Sequence, residues 1–371
     1  MKIIPKKVKA MNYKIIILIN LTLLILSTLS AQSDTEVRTF MKTVHVSKET
    51  SLEVNNKYGS IHISPWTKDS ASIRAEVKAV ASGHDKPGKM FDGITISITE
   101  TSYLVRAQTE FTQNINTLFE SFKGMTSKLI SYDSHVEINY YINIPDYLNL
   151  RIENKYGDVY MEDNKGNLSI SVSNGSFKAN SIGGESSITL AFCDATINSI
   201  SSGKINTSFS DLTIGETGDL KINSISSRFE IKKATLIMAE SKRDKFFIDN
   251  LETLKGNSYF TDYKIGNLKK EIDLVARYGS VNADLVDKRF ESININSGYS
   301  DLSLRFEQGA SYTFDIRYIN SFLVLPDKDV KSEKKDINEE KREYMTFGTV
   351  GKNPGTTKVK IDATRGNIYL K

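Results

Sequence analysis

Five aspartates are the residues of this chain best suited by type to do chemistry. Asp158, Asp194, Asp211, Asp262 and Asp301 each stand at the same place in a short recurring segment. A file of carboxylates could ligate Ca²⁺ through oxygen, or act on a polysaccharide as acids do in glycoside hydrolysis. Other copies of the segment place Ser60, Ser176, Arg228 and Lys245 there, so the file is broken. Aspartate is also the usual residue beside a tight turn, and turn chemistry is the simpler reading. No catalytic, cofactor-binding or metal-binding residue is therefore assigned.

Other candidates fail on their own terms. Gly83-His84-Asp85-Lys86-Pro87-Gly88-Lys89-Met90 nearly spells a phosphate-binding loop. It breaks at Met90, where a hydroxyl should meet Mg²⁺, and reads as a glycine–proline turn between strands. His45, His62, His84 and His135 lack metal-ligand spacing, and no nucleophile elbow or Cys–His pair is visible. Cys193 is the only cysteine, so no intramolecular disulfide forms, and a small buried residue is expected. A second file is aromatic: Tyr58, Tyr156, Phe192, Phe209, Phe260, Tyr278 and Tyr299. Exposed, it would offer a stacking face to sugars or protein. Its parity with the apolar columns predicts an inward stack instead.

These files exist because the chain repeats itself. Asn56-Lys57-Tyr58-Gly59-Ser60-Ile61-His62-Ile63 returns as Asn154-Lys155-Tyr156-Gly157-Asp158-Val159-Tyr160-Met161, and again as Ala276-Arg277-Tyr278-Gly279-Ser280-Val281-Asn282-Ala283. Copies open on Val54, Ile152, Ile170, Ile188, Ile205, Ile222, Ala239, Gly256, Leu274, Ile295, Ile316 and Ile361. From Ile152 to Leu274 the steps are 17 or 18 residues, followed by two of 21. Apolar columns lie two residues before the opener and seven and nine after it. The last contains Ile197, Ile214, Ile231, Ile248 and Ile265.

One strand cannot aim even and odd offsets at the same core, because side chains alternate with period two. A bend must shift the phase. Small residues gather five after the opener, among them Gly59, Gly157, Gly175, Cys193, Ser210, Ser227, Thr261, Gly279 and Ser300, with Asp244 the exception. A tight corner or bulge is expected there. A single copy cannot bury its columns alone, so copies must stack. The fold class expected is all-β, a parallel β-solenoid of 17–21-residue coils, right-handed by the usual crossover preference, with one N-terminal amphipathic helix.

Residues 1–31 read as a secretory signal peptide. Lys2, Lys6, Lys7, Lys9 and Lys14 precede an apolar run from Ile15 to Leu26 and a small-residue cleavage site. The chain's +4 charge becomes −1 once those five lysines leave, so its basic balance is no evidence for nucleic-acid binding. Export to the periplasm or cell surface is expected, with no integral membrane segment after cleavage.

Residues 32–149 should form N-terminal strands, a first coil and a capping helix. Ser72–Val80, Ile94–Thr109 and His135–Ile144 read as longer strands. Between the last two, Phe111, Ile115, Leu118, Phe119, Phe122, Met125 and Leu129 follow helical spacing. Residues 150–371 should form the solenoid. The stretch Asp327–Met345 holds six basic and seven acidic residues, and reads as a solvated, mobile loop or short helix interrupting the final coil.

The export signal, the Asn-Lys-Tyr-Gly-Asp-Val-Tyr-Met type of repeat and the lead-in Tyr140-Tyr141-Ile142-Asn143-Ile144-Pro145-Asp146-Tyr147-Leu148-Asn149-Leu150 resemble the bacterial DUF4097 putative adhesin family. The resemblance covers about Val44 to Leu370 and implies a secreted or surface β-helix, with no cofactor and no catalytic residues to carry over. The function expected is non-enzymatic: an adhesin or cell-envelope binding protein whose partner is a glycan or surface protein, not a nucleotide. The alternatives are a polysaccharide-acting β-helix enzyme and a periplasmic scaffold or signalling partner.

Overall fold

The computed structural model of the protein describes residues 34–81, 87–111 and 135–371. These residues are built almost entirely of β-strands, in a repeat-like arrangement. Contacts divide the chain into two units. The smaller gathers Met1–Arg38, Val77–Thr95 and Phe111–Glu137. Within it Pro87–Phe91 forms one short helical turn, and the Arg38 guanidinium lies 4.1 Å from the centroid of the Phe91 ring. That turn replaces the simple glycine–proline connection expected there; Pro at the first helical position has its φ preset for it. The rest of the phosphate-loop-like stretch, and the helix expected from Phe111 to Leu129, lie outside the described residues, apart from Phe111, which ends the strand Leu104–Phe111.

The larger unit, Thr39–Glu76, Ile96–Glu110 and Ile138–Lys371, carries the repeats. Alternating apolar and polar residues give strands with one buried row, as in Asp211–Ile225 and Arg228–Lys242. Successive repeats pair parallel and in register. Ile197 lies beside Ile214, Ile214 beside Ile231, Ile231 beside Ile248, and Ile248 beside Ile265. The opening column runs likewise from Ile205 to Ile222 to Ala239 to Gly256 to Leu274. These columns are the core: Leu220, Ile222, Phe229, Ile237, Phe246 and Ile265 are all fully buried. Burial of each such side chain stabilises by about 1.5–3 kcal/mol.

Chain order and spatial order part company at both ends of the stack. Ser51–Lys57 pairs directly with Asn149–Lys155, setting Val54 beside Ile152 across the whole intervening excursion. At the other end Lys358–Leu370 does not follow the repeat opened by Ile316. It lies between Ser292–Gly298 and Tyr312–Val324, with Ile361 paired to Ile295 on one side and to Ile316 on the other.

The charged stretch is neither a loop nor a helix. Val330–Asn338 and Glu343–Val350 form an antiparallel hairpin, and its second strand pairs antiparallel with Tyr312–Val324. The physical reason is that a strand can keep its charges in water while its main chain pairs. Lys334 and Lys335 place their ammonium groups over Tyr344 and Phe347, at 3.7 and 4.8 Å from the ring centroids. The span read as one strand from Ile94 to Thr109 is two, Ile94–Glu100 and Leu104–Phe111, because the Thr101 hydroxyl accepts the Leu104 N–H at 3.1 Å and turns the chain.

The columns make a direct prediction. Ile231→Ala should cost about 2–5 kcal/mol of unfolding free energy. Ile225→Ala, in the same repeat but 42% exposed, should change it by no more than about 0.5 kcal/mol. Urea unfolding of the two variants reads the difference, and equal losses would show that the piled column is not the core.

Candidate functional site along the corner

The phase shift demanded by the columns is made by one residue per repeat. Tyr58, Tyr156, Asn174, Phe192, Phe209, Ser226, Arg243, Phe260, Tyr278, Tyr299, Asn320 and Arg365, each four after its opener, all have left-handed backbone with φ between 48° and 65°. Such a residue reverses the alternation, so two consecutive side chains leave the core together, as Tyr259 and Phe260 do at 49% and 55% exposure. The bend therefore sits one residue before the small column. The small residue lies under it against the preceding repeat: a Cβ on Gly157 would come within 2.0 Å of the Gly59 carbonyl oxygen.

This geometry overturns the inward aromatic stack expected from parity. Phe192, Phe209, Phe260, Tyr278 and Tyr299 are about half exposed. They lie on neighbouring strands because each corner N–H donates to the next repeat: Phe209 to the Ile225 carbonyl at 3.0 Å, Ser226 to Lys242 at 2.9 Å, Arg243 to Tyr259 at 2.8 Å and Phe260 to Arg277 at 2.8 Å. The rings stack in runs. Tyr58 and Tyr156 are 5.4 Å apart, Phe192 and Phe209 5.0 Å, Phe260 and Tyr278 4.8 Å, and Tyr278 and Tyr299 5.0 Å, with planes within 19° of parallel. Arg365 ends the last run, 5.1 Å from the Tyr299 centroid and donating to its hydroxyl at 2.6 Å. What the surface meets is a strip of ring edges.

Beneath the corner lies a polar file. Asp244, the one large residue of the small column, is buried. Its carboxylate accepts the Ser224 and Ser241 hydroxyls at 2.6 Å each, the Ser227 N–H at 2.7 Å and the Lys242 N–H at 3.0 Å. A buried carboxylate so fully satisfied costs little and holds its turn rigid. Cys193, in the same column, donates to the carbonyls of Val172 and Ala191 at 3.2 Å each, and burial pushes its thiol pKa up. An inert thiol follows.

The aspartate file lies just past the corner. Asp158 accepts the Ser176 N–H at 2.8 Å and the Tyr160 hydroxyl at 2.9 Å. Burial opposes its charge, but these bonds and Lys178 outweigh it and hold the carboxyl below the usual range. Asp262 accepts the Ser280 hydroxyl at 2.7 Å, and Asp301 the Asn367 N–H at 2.8 Å. Asp194 and Asp211 are exposed neighbours in register. Among the described residues no three of His, Cys, Asp and Glu are placed to hold a metal ion.

One cluster escapes sequence reasoning because its members come from distant segments. His62 is stacked between Tyr141 and Tyr160, at 5.1 and 4.8 Å, and Arg74 and Lys178 cover the outer faces of the two tyrosines at 4.3 and 5.7 Å. Ser60 donates its hydroxyl to Asn139 at 2.7 Å, so His62 Nε2 carries the proton donated to Ser60 at 2.9 Å. Only the offset shared by His62, Tyr160 and Lys178 hinted at this. Burial lowers the imidazole pKa below 6.5, with Asp158 partly opposing.

No family model and no curated protein sequence matches the chain. Among solved structures it is similar to a putative cell adhesion protein from Clostridium sporogenes, at 10% identity over 91% of this chain and 99% of that one, with a TM-score of 0.18. It is also similar to putative adhesins from Parabacteroides merdae (10% identity, 72% and 96% covered, TM-score 0.33) and Bacteroides fragilis (11%, 90% and 97%, 0.27). Scores this low carry no argument for fold or function. Among the described residues no helix is long and apolar enough to cross a membrane.

The stacked imidazole has a pH signature. A histidine held below its unfolded pKa of 6.5 contributes stability that is complete above that pH and is lost as the pH falls beneath it. The melting temperature should therefore drop between neutral and mildly acidic pH, and His62→Gln should flatten that part of the drop. An unchanged pH slope in the variant would remove His62 as its source.

Proposed function

We propose that this protein is an exported β-solenoid of the adhesin kind, without catalytic activity, that binds a cell-envelope or surface ligand through its aromatic corner. The in-register parallel ladders support the solenoid. The charged and apolar leader supports export. The observation that carries the binding role is the exposure of large rings at left-handed positions.

The backbone does not ask for rings there. Asn174, Ser226 and Asn320 occupy the same corner with φ of 55°, 54° and 48°. Asparagine is the non-glycine residue that tolerates this conformation best, whereas a bulky residue is strained in it by about 1–3 kcal/mol. Face-to-face stacking offsets part of that, at about 0.5–1.5 kcal/mol per pair. The remainder is explained by contact: an exposed row of aromatic edges is the kind of surface on which binding hot spots concentrate.

The test replaces Phe192, Phe209, Phe260, Tyr278 and Tyr299 together by Asn, the residue already used at this corner. Binding to a panel of glycans and matrix proteins should fall by about tenfold or more, with far-ultraviolet dichroism unchanged. Retention of all binding by that variant, or silence of the wild-type protein across the panel, defeats the reading. Asp194→Asn with Asp211→Asn should leave binding intact, and glycan cleavage by the wild type that these changes abolish would replace adhesion by catalysis.

A further inference from the structure

Asn174 interrupts the ring file once, and a second interruption has a different chemistry. Between Phe209 and Phe260 the corner positions are Ser226 and Arg243. Three strand steps at ~4.8 Å set the two phenylalanines roughly 14 Å apart. Each has a ring neighbour on its far side only, Phe192 for Phe209 and Tyr278 for Phe260. Among the described residues no ring or cation is stacked on the faces they turn to each other. The gap is thus a slot with an open aromatic wall at either end.

One of its two central repeats presents three cations. Lys242, Arg243 and Lys245 are all exposed. Within the described residues none of the three has a carboxylate at ion-pair distance, whereas the nearby Arg228 is committed to Glu230 at 2.7 Å. The corner that presents them is the one locked from beneath by Asp244, which accepts the N–H of Lys242 itself. The cations therefore stand on a backbone that does not need to be ordered on binding.

We propose that this slot binds an acidic saccharide unit. The faces of Phe209 and Phe260 take the apolar C–H surface of the sugar, and Lys242, Arg243 and Lys245 take its anionic group. The proposal rests on the reading of the corner as a binding surface, and adds to it the class of ligand and the place. An apolar peptide would leave the cations unanswered. A simple polyanion would leave the ring faces unused.

The experiment titrates the purified protein with a galacturonate hexasaccharide, a heparin hexasaccharide and neutral cellohexaose. The acidic sugars should bind, cellohexaose should bind about tenfold more weakly or worse, and salt should weaken the acidic complexes. Binding of the galacturonate oligomer shows that a carboxylate alone suffices. Arg243→Asn with Lys245→Ser should cost the acidic sugars about tenfold and leave cellohexaose unaffected. Asn is already the corner residue at 174 and 320, so the fold should tolerate it. Phe209→Asn with Phe260→Asn should weaken all three sugars.

Acidic-sugar binding that ignores the Arg243 and Lys245 changes, or the Phe209 and Phe260 changes, overturns the slot. So does a short DNA duplex that binds as tightly as the acidic sugars. If the five-ring variant loses panel binding while the slot variants match the wild type, the slot is wrong and the corner reading stands. If the wild type binds nothing in either assay, both fall.

Discussion

A strand in the repeat region can satisfy its main-chain N–H and C=O groups only on the repeats before and after it. Everything else in the structure answers to that constraint. Each repeat must present the same side chain at the same height as its neighbour, because a slip of one residue would turn the whole buried row outward. The step length is accordingly almost constant, and extra residues are admitted only where they do no harm. The repeat opened by Gly256 absorbs its additional residue as a register shift between Leu251 and Thr253 relative to its neighbour, well past the corner. The two longer repeats carry theirs in turns, where Phe290 and Ala310 donate to Asp287 and Glu307 at 3.0 and 3.1 Å. The corner is never interrupted.

That discipline is what makes a surface out of single residues. One left-handed residue per repeat, held by an N–H to the next repeat, becomes a file of exposed side chains at strand spacing. Rings there stack on each other and show their edges. Where the ring is replaced by Arg243, the residue beneath becomes Asp244, whose four hydrogen-bonded contacts replace the close fit of a small side chain. The change of surface chemistry and the change of buried chemistry occur in the same repeat.

The last strands of the stack are managed differently. Lys358–Leu370 is clasped between two repeats that precede it in sequence, and a hairpin covers the outer one of these. The hairpin's outer strand is exposed along most of its length and carries Lys331, Lys334 and Lys335. Charged side chains, lysine above all, are a common guard against edge-to-edge pairing with other chains. The dense mixed charge of this stretch suits such a guard, since it keeps the strand solvated without unpairing it.

The period, the inward columns and the need for a phase change were all legible in the residues, because each depends only on local alternation repeated at a fixed step. Ile197, Ile214, Ile231 and Ile248 pile as their spacing required. The sequence could not say which residue makes the turn. Parity placed the rings inside on the assumption that the chain bends at the small residue, and only the backbone shows that the bend falls on the ring itself and throws it out. Asn174 and Asn320, natural occupants of left-handed backbone, were the one local sign of this. The final strand's place between earlier repeats, the charged hairpin and the stack of His62 between Tyr141 and Tyr160 were settled by tertiary structure alone. Each depends on which distant segments share an edge, and pairing between strands far apart in the chain leaves no mark on either strand by itself.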